Sequence, residues 1–130
     1  MKITIWILQT ILIIAFMAAG LLKVYMSLPD LIAQGMLWIA DFSIVQVRII
    51  GSLEVLAVLG MILPYILKVL PKILVPLAAV GLALTMVGGL VTHINRGDPI
   101  ASIIINSVLL LMSLFVAFQR YKELIKVDKA

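Results

Sequence analysis

Apolar residues are gathered in four long stretches, at about residues 3–26, 44–66, 72–94 and 99–118. Each stretch is close to the ~20 residues that an α-helix needs to cross the hydrocarbon of a bilayer. Helices are required, because an isolated strand in lipid would leave its backbone N–H and C=O groups unpaired. The pattern therefore predicts one all-α domain over residues 1–130: an integral membrane four-helix bundle with antiparallel spans.

The ends of these stretches carry local signals for helix boundaries. Ser43-x-x-Gln46 is typical of a capping box that opens the second span. Pro71 suits the first turn of the third span, and Asp98-Pro99 predicts an N-cap followed by proline at the start of the fourth. The last two connections are short, so we expect the second, third and fourth spans to be sequential antiparallel neighbours.

The sequence also predicts the structure of two segments outside the spans. Residues 29–40, PDLIAQGMLWIA, are too few to cross a bilayer. With Trp38 as an anchor, they predict a helix or half-helix at the membrane interface, and an irregular apolar loop is the alternative. The basic tail from Gln119 is expected to be frayed or to lie on anionic headgroups.

The composition indicates lipid as the solvent of most of the chain, with 65% hydrophobic residues, 12% charged residues and a mean hydropathy of +1.29. The absence of cysteine excludes disulfides and thiolate metal sites within the chain. No CxxC, HExxH, phosphate loop or GxGxxG occurs, so no common cofactor or metal motif is present. The net charge of +4 does not indicate nucleic-acid binding, because no basic face with interleaved aromatic residues exists.

The first apolar stretch continues through Leu21, Leu22 and Val24 without a clean small-x-small cleavage site, which favours an uncleaved span over a signal peptide. Basic residues are concentrated at the termini and in the second connection, and the positive-inside rule then predicts a multi-pass protein of the cytoplasmic membrane with both termini in the cytoplasm. These residues are Lys2, Lys68, Lys72, Arg120, Lys122, Lys126 and Lys129.

One acidic residue, Glu54, falls near the middle of the second span, roughly 15 Å from its outer end. A carboxylate at that depth needs a partner, a wet cavity or a proton. Lys23 is the preferred partner, followed by Arg48 and Asn106. Arg48 lies about 120° around the same helix from Glu54, so their spacing does not favour a direct pair.

Helical spacing gives each span one small or polar face, and the polar groups fall in the outer half of the spans. This predicts a narrow polar pocket that opens outward and is closed on the inner side by apolar residues. The alternative is that the small residues form packing seams, that Lys23 and Arg48 snorkel to headgroups, and that His93 is interfacial. No residue is assigned to catalysis or to a metal. The predicted pocket residues are Lys23, Arg48, Glu54, Thr85, His93 and Asn106.

Four segments carry a resemblance to a known family: AGLLKVYMSLPDL, VRIIGSLEVLAVLGMILP, GLALTMVGGLVTHINRGDP and FVAFQRYK, at the ends or within the four spans. In these segments the chain resembles the DoxX-like family of small four-span membrane proteins, over nearly its whole length. The most specific part is Gly20-x-x-Lys23 together with Arg48-x-x-Gly51-x-x-Glu54.

The resemblance implies a bundle in a bacterial cytoplasmic membrane. Relatives are linked to membrane oxidoreductase complexes, including thiosulfate oxidation coupled to quinone and an oxidative-stress assembly with superoxide dismutase and a sulfurtransferase. A distant animal branch acts as a chaperone for acetylcholine-receptor assembly. Because this chain has no cysteine, the resemblance does not extend to thiol-dependent roles.

Three functions remain open at this point. The first is a non-catalytic accessory subunit of a membrane redox system, with quinone or lipid in the polar pocket and oxidoreductase subunits as partners. The second is a factor that assembles or stabilises membrane proteins through its small-residue seams, and a homo-oligomer is also compatible with those seams. The third is a small enzyme for a lipid-soluble substrate with Glu54 as the base, which ranks last because only one deep carboxylate is available.

Overall fold

The computed structural model describes residues 2–129, most of which are helical and none of which forms a strand. Four helices, α1 (Lys2–Tyr25), α3 (Ile44–Ile66), α4 (Leu74–Arg96) and α5 (Ile100–Lys129), are each long and apolar enough to cross a membrane. A short helix, α2 (Leu28–Ala33), and a 3-10 turn (Leu37–Asp41) lie between α1 and α3. The prediction of an all-α membrane bundle is confirmed.

Contacts between facing helices show that neighbouring spans run in opposite directions. Gly20 of α1 faces Gly51 of α3, and Gln9 of α1 donates a hydrogen bond to the carbonyl of Met61 of α3, so residue numbers rise on one helix as they fall on the other. Helix α3 packs against α4, α4 against α5, and α5 returns to α1. We call the end of the bundle that carries both chain termini the terminal end, and the opposite end the loop end.

A closed layer of apolar side chains crosses the middle of the bundle. Each span contributes one fully buried residue to it, and we define this apolar layer as Leu12, Val58, Leu82 and Val116. On the outside, large apolar side chains are exposed around every span. An exposed apolar exterior around a packed apolar centre is the distribution expected for a helix bundle in lipid.

The connection between α1 and α3 is folded onto the loop end of the bundle. Ser27 accepts a hydrogen bond from the backbone N–H of Asp30 and so caps α2. Leu31, Ile39 and Val47 are fully buried in a small cluster between this connection and α3. The predicted helix over part of residues 29–40 is therefore present, and the irregular loop is not.

Some helix boundaries lie where the sequence predicts them, and others do not. The capping box of Ser43 and Gln46 forms as predicted, with both reciprocal hydrogen bonds. The third span, in contrast, begins at Leu74 rather than at residue 72, because residues 67–73 make turns around Pro71. Pro76 then takes a place in the first turn of α4, where a missing N–H breaks no intrahelical hydrogen bond.

Both ends of the fourth span differ from the sequence-based expectation. Asp98 was expected to cap α5, but its carboxylate contacts His93 and Arg96 instead, and α5 begins at Ile100. The tail from Gln119 was expected to be frayed or to lie on anionic headgroups, and the structure contradicts fraying, because α5 continues as a regular helix to Lys129. The reason is that Arg120 is 4% exposed and tied to neighbouring helices, which extends the packed part of α5 past the predicted end.

Candidate functional site

Lys23 and Glu54 form a buried ion pair near the loop end of the α1–α3 contact. The Lys23 Nζ atom lies 2.9 Å from Oε1 and 2.8 Å from Oε2 of Glu54. The side chains are only 7% and 2% exposed. A carboxylate in the middle of a span is tolerated when an opposite charge and hydrogen bonds compensate its lost hydration, and Lys23 supplies both.

Two glycines allow this pair to form. A Cβ atom on Gly51 would lie 2.6 Å from the Cβ of Lys23 and 2.7 Å from the carbonyl oxygen of Gly20. A Cβ atom on Gly20 would lie 2.9 Å from the carbonyl oxygen of Gly51. Helices α1 and α3 therefore approach each other backbone to backbone at these two positions, which brings the short glutamate within reach of the lysine.

A cavity of about 500 Å³ lies directly beside the ion pair, between α1, α3, α4, α5 and the connection that follows α1. Most of its wall is apolar. The predicted pocket residues Lys23, Glu54, Thr85, His93 and Asn106 all line it. The apolar and glycine residues of the wall are Ala15, Phe16, Ala19, Met36, Trp38, Phe42, Ile50, Met86, Gly88, Gly89, Ile105 and Leu109.

The structure does not bring Arg48 into this cavity. Its guanidinium Nη1 donates hydrogen bonds to the carbonyl oxygens of Lys23 and Met26, at the C-terminal end of α1. Cations at this end of a helix satisfy carbonyls that have no intrahelical partner and complement the helix dipole. Arg48 therefore fixes the backbone from which Lys23 extends, rather than pairing with Glu54, as the angular spacing along α3 predicts.

The neutral polar residues of the cavity are tied to their own helices. The Thr85 hydroxyl donates to the carbonyl of Gly81, and Asn106 Nδ2 donates to the carbonyl of Ser102. The Asn106 Oδ1 atom lies so close to Gly89 that a Cβ atom at residue 89 would clash with it. Neither residue contacts Glu54, so the expectation that Asn106 could partner this carboxylate is not met.

A chain of charges closes the loop end beside the cavity. His93 Nδ1 lies 2.6 Å from Asp98 Oδ2, and Arg96 contacts both Asp98 and Asp41. The hydrogen bond from His93 and the charge of Arg96 hold the pKa of Asp98 below its ordinary value of 3.8. An ionised carboxylate can only accept, so His93 Nδ1 carries the proton of this hydrogen bond, and in a neutral imidazole the other nitrogen, Nε2, is an acceptor.

The cavity therefore combines an apolar wall with two different polar groups. Of the three N–H groups of Lys23, two are accounted for by Glu54, and no protein acceptor within residues 2–129 takes the third. His93 Nε2 likewise makes no hydrogen bond within the described residues. Such a site can bind an amphipathic molecule through one acceptor and one donor on its head group.

A second polar cluster, near the terminal end, was missed by the sequence analysis. Gln9 donates to the Met61 carbonyl at 2.9 Å and accepts from Arg120 Nε at 2.7 Å, while Arg120 Nη1 donates to Glu123. Gln9 is fully buried. The available signal was a glutamine inside the first apolar stretch, but its partner was assigned to the basic tail.

Comparison with known proteins identifies a family but no individual relative. The model of the DoxX-like family matches residues 7–116, which include every residue of the loop-end cavity. No match is found among curated proteins or among solved structures. Because the family model covers most of the chain and the four helices are able to span a membrane, this multi-pass membrane protein belongs to the DoxX-like family.

Proposed function

We propose that this protein is a non-catalytic accessory subunit of a membrane redox system, and that its loop-end cavity binds a quinone or a lipid. The observation that supports this proposal is the placement of the Lys23–Glu54 pair on the wall of an otherwise apolar cavity of about 500 Å³. A volume of this size suits a ring or a head group together with the first part of its apolar tail.

The third N–H of Lys23 and the Nε2 atom of His93 fit the hydrogen-bonding groups of such a ligand. A quinone or an ester presents a carbonyl oxygen, which can accept the third N–H of Lys23. A quinol or a lipid head group also presents a hydroxyl, which can donate to Nε2 of His93. The ring of Trp38, whose centroid is 5.7 Å from Lys23 Nζ, provides a flat apolar surface for a bound ring.

A role without catalysis agrees with the same geometry. Proton transfer needs a positioned acid or base that a substrate can reach, and nucleophilic catalysis needs a nucleophile beside a base. Glu54 uses both oxygens to bind Lys23, and the hydroxyl of Thr85 donates to the Gly81 carbonyl in its own helix. Glu54, the base considered in the sequence analysis, is therefore held by Lys23 and is not free to take a proton from a bound molecule.

The ligand can be identified directly. Protein purified from its native membrane in mild detergent should carry an apolar molecule that solvent extraction and mass spectrometry assign as a quinone or as a phospholipid. The double variant Lys23→Met with Glu54→Leu should lose that molecule, while Ser107→Ala, which lies outside the cavity and removes only a hydrogen bond within α5, should retain it. Equal retention in all three proteins would refute binding at this site.

The partner is tested separately. Crosslinking in the native membrane followed by purification should recover subunits of an oxidoreductase together with this chain. Recovery of this chain alone, or of unrelated nascent membrane proteins, would remove the accessory role and favour the role in assembly.

We also propose that the protein lies in the cytoplasmic membrane with both termini in the cytoplasm. The support is the position of Lys2, Lys68 and Lys72 at the terminal end, together with four basic residues near the end of α5. A reporter enzyme fused to the C-terminus should be active only if it functions in the cytoplasm. Activity of a reporter that works only outside the cell would reverse the orientation.

A further inference from the structure

The terminal end contains a second cavity, also of about 500 Å³, which the proposed function does not use. It lies between the start of α1, the end of α3 and the last turns of α5. Five basic residues and one acidic residue contribute to its wall, and the rest is largely apolar or aromatic. The charged residues are Lys2, Lys72, Arg120, Lys122, Glu123 and Lys126.

Arg120 is the most constrained of these charged residues, with 4% of its surface exposed. Its guanidinium carbon lies 4.2 Å from the ring centroid of Trp6 and 5.4 Å from that of Tyr65. Gln9 accepts from Nε and Glu123 accepts from Nη1. The group is therefore fixed in position before any ligand arrives, which lowers the entropic cost of binding.

One donor of this fixed group has no acceptor. Arg120 Nη2 is buried and makes no hydrogen bond to the described part of the chain, whereas the other buried side-chain nitrogen and oxygen atoms of residues 2–129 do. A buried, unpaired N–H of a charged group is costly, and such groups in folded proteins are usually satisfied by a partner. The neighbouring charge is mostly positive, which favours an anion as the missing partner.

We propose that this terminal-end cavity binds the phosphate group of an anionic phospholipid. A phosphate oxygen would accept from Arg120 Nη2, and Lys72 and Lys126 would neutralise the remaining charge from the cavity wall. The apolar side chains of Ile5, Leu124 and Val127 on the same wall provide contact for the glycerol and the first acyl carbons.

The position of the cavity favours a lipid as the source of the phosphate. Its wall includes Trp6 and Tyr65 near the ends of two spans, where aromatic side chains lie at the level of lipid head groups. Basic cavities between spans are known to hold anionic head groups in membrane proteins generally. A free phosphate ion would gain nothing from the apolar part of the wall.

The test uses the whole protein in nanodiscs that contain phosphatidylcholine with a minor fraction of phosphatidylglycerol, and native mass spectrometry counts the lipids that stay bound. Wild-type protein should retain phosphatidylglycerol preferentially. Removal of two wall charges in Lys72→Gln with Lys126→Gln should weaken that preference by about fivefold for each lysine. The matched control is Lys68→Gln with Lys129→Gln, which removes the same charge from the same end but outside the cavity wall.

Arg120→Lys tests the fixed guanidinium itself, because it keeps the charge and removes Nη2. It should reduce selectivity for phosphatidylglycerol, with folding checked by circular dichroism. Equal losses in the cavity pair and the control pair would show general surface attraction and overturn the proposal. Displacement of the bound lipid by millimolar inorganic phosphate would also overturn it, since the site would then recognise the free ion.

Discussion

Gln9 and Arg120 lie 111 residues apart in sequence, and their side chains meet at 2.7 Å in the buried contact between the first and last spans. Gln9 also binds the Met61 carbonyl, so one amide connects three spans through two hydrogen bonds. Lipid tails have no hydrogen-bonding groups, so they cannot replace the two hydrogen bonds that the Gln9 amide makes. Removal of the Gln9 amide should therefore lower the free energy of unfolding by more than the size of the side chain suggests.

Gln9→Leu should destabilise the bundle by roughly 1–3 kcal/mol, because it leaves Arg120 Nε without its acceptor and removes the hydrogen bond that ties α1 to the Met61 carbonyl. The measurement is the free energy of unfolding in mixed detergent micelles titrated with a denaturing detergent. Ser113→Ala is the appropriate control, since this buried hydroxyl bonds only within α5. Equal stability of Gln9→Leu and wild type would show that the amide is dispensable.

Lys23→Met and Glu54→Leu should each destabilise the protein by about 3–5 kcal/mol, because each leaves one buried charge without its partner. The double variant should lose less than the sum of the two, since no charge then remains uncompensated. A double-mutant cycle on the free energy of unfolding measures this coupling. Strict additivity would mean that the two side chains do not interact in the membrane.

Gly51→Ala should destabilise the α1–α3 contact by about 1–3 kcal/mol, because the added Cβ atom would meet the Lys23 Cβ atom at 2.6 Å. Gly81→Ala provides the opposite case within the same bundle. Nothing lies within 4 Å of a Cβ atom at Gly81, so this substitution should stabilise helix α4 by about 0.5–1 kcal/mol. Thermal unfolding should move in opposite directions for the two variants, and a shift in the same direction would contradict the packing described.

The contact between Asp98 and the pair His93 and Arg96 predicts a dependence of stability on pH. The pKa of Asp98 is lowered in the folded protein, so its ionised carboxylate stabilises the fold at pH values above the ordinary pKa of 3.8. This stabilisation is lost as the pH falls through the lower pKa of the folded state. The melting temperature of Asp98→Asn should thus lie below that of wild type near neutral pH. The difference should shrink in strongly acidic solution, and a constant difference would exclude this origin.

The spans could be predicted from the sequence because a local pattern determines each helix. The deep ion pair could be predicted because few residues are available to pair with a buried carboxylate. Continuous apolar stretches determine the helices, and a carboxylate in the middle of a span leaves Lys23 as one of only a few available partners. The capping box of Ser43 and Gln46 is similarly encoded over four residues.

The remaining polar contacts depend on tertiary geometry that spacing along one helix does not contain. Arg48 binds backbone carbonyls of another helix, and any residue type presents those. Arg120 has the composition of a membrane-flanking tail, and it becomes buried only because Trp6 and Tyr65 arrive from two other spans. Asp98 was assigned as a helix cap on a local rule, but its carboxylate instead accepts hydrogen bonds from His93 and Arg96.

The apolar layer of Leu12, Val58, Leu82 and Val116 separates the two cavities with side chains that are fully buried. Each of these four side chains is a hydrocarbon, so none of them can bind or relay a proton between the two cavities. The ionised groups at the two ends of the bundle are therefore held apart by hydrocarbon alone at this level, as in two half-sites that share one scaffold.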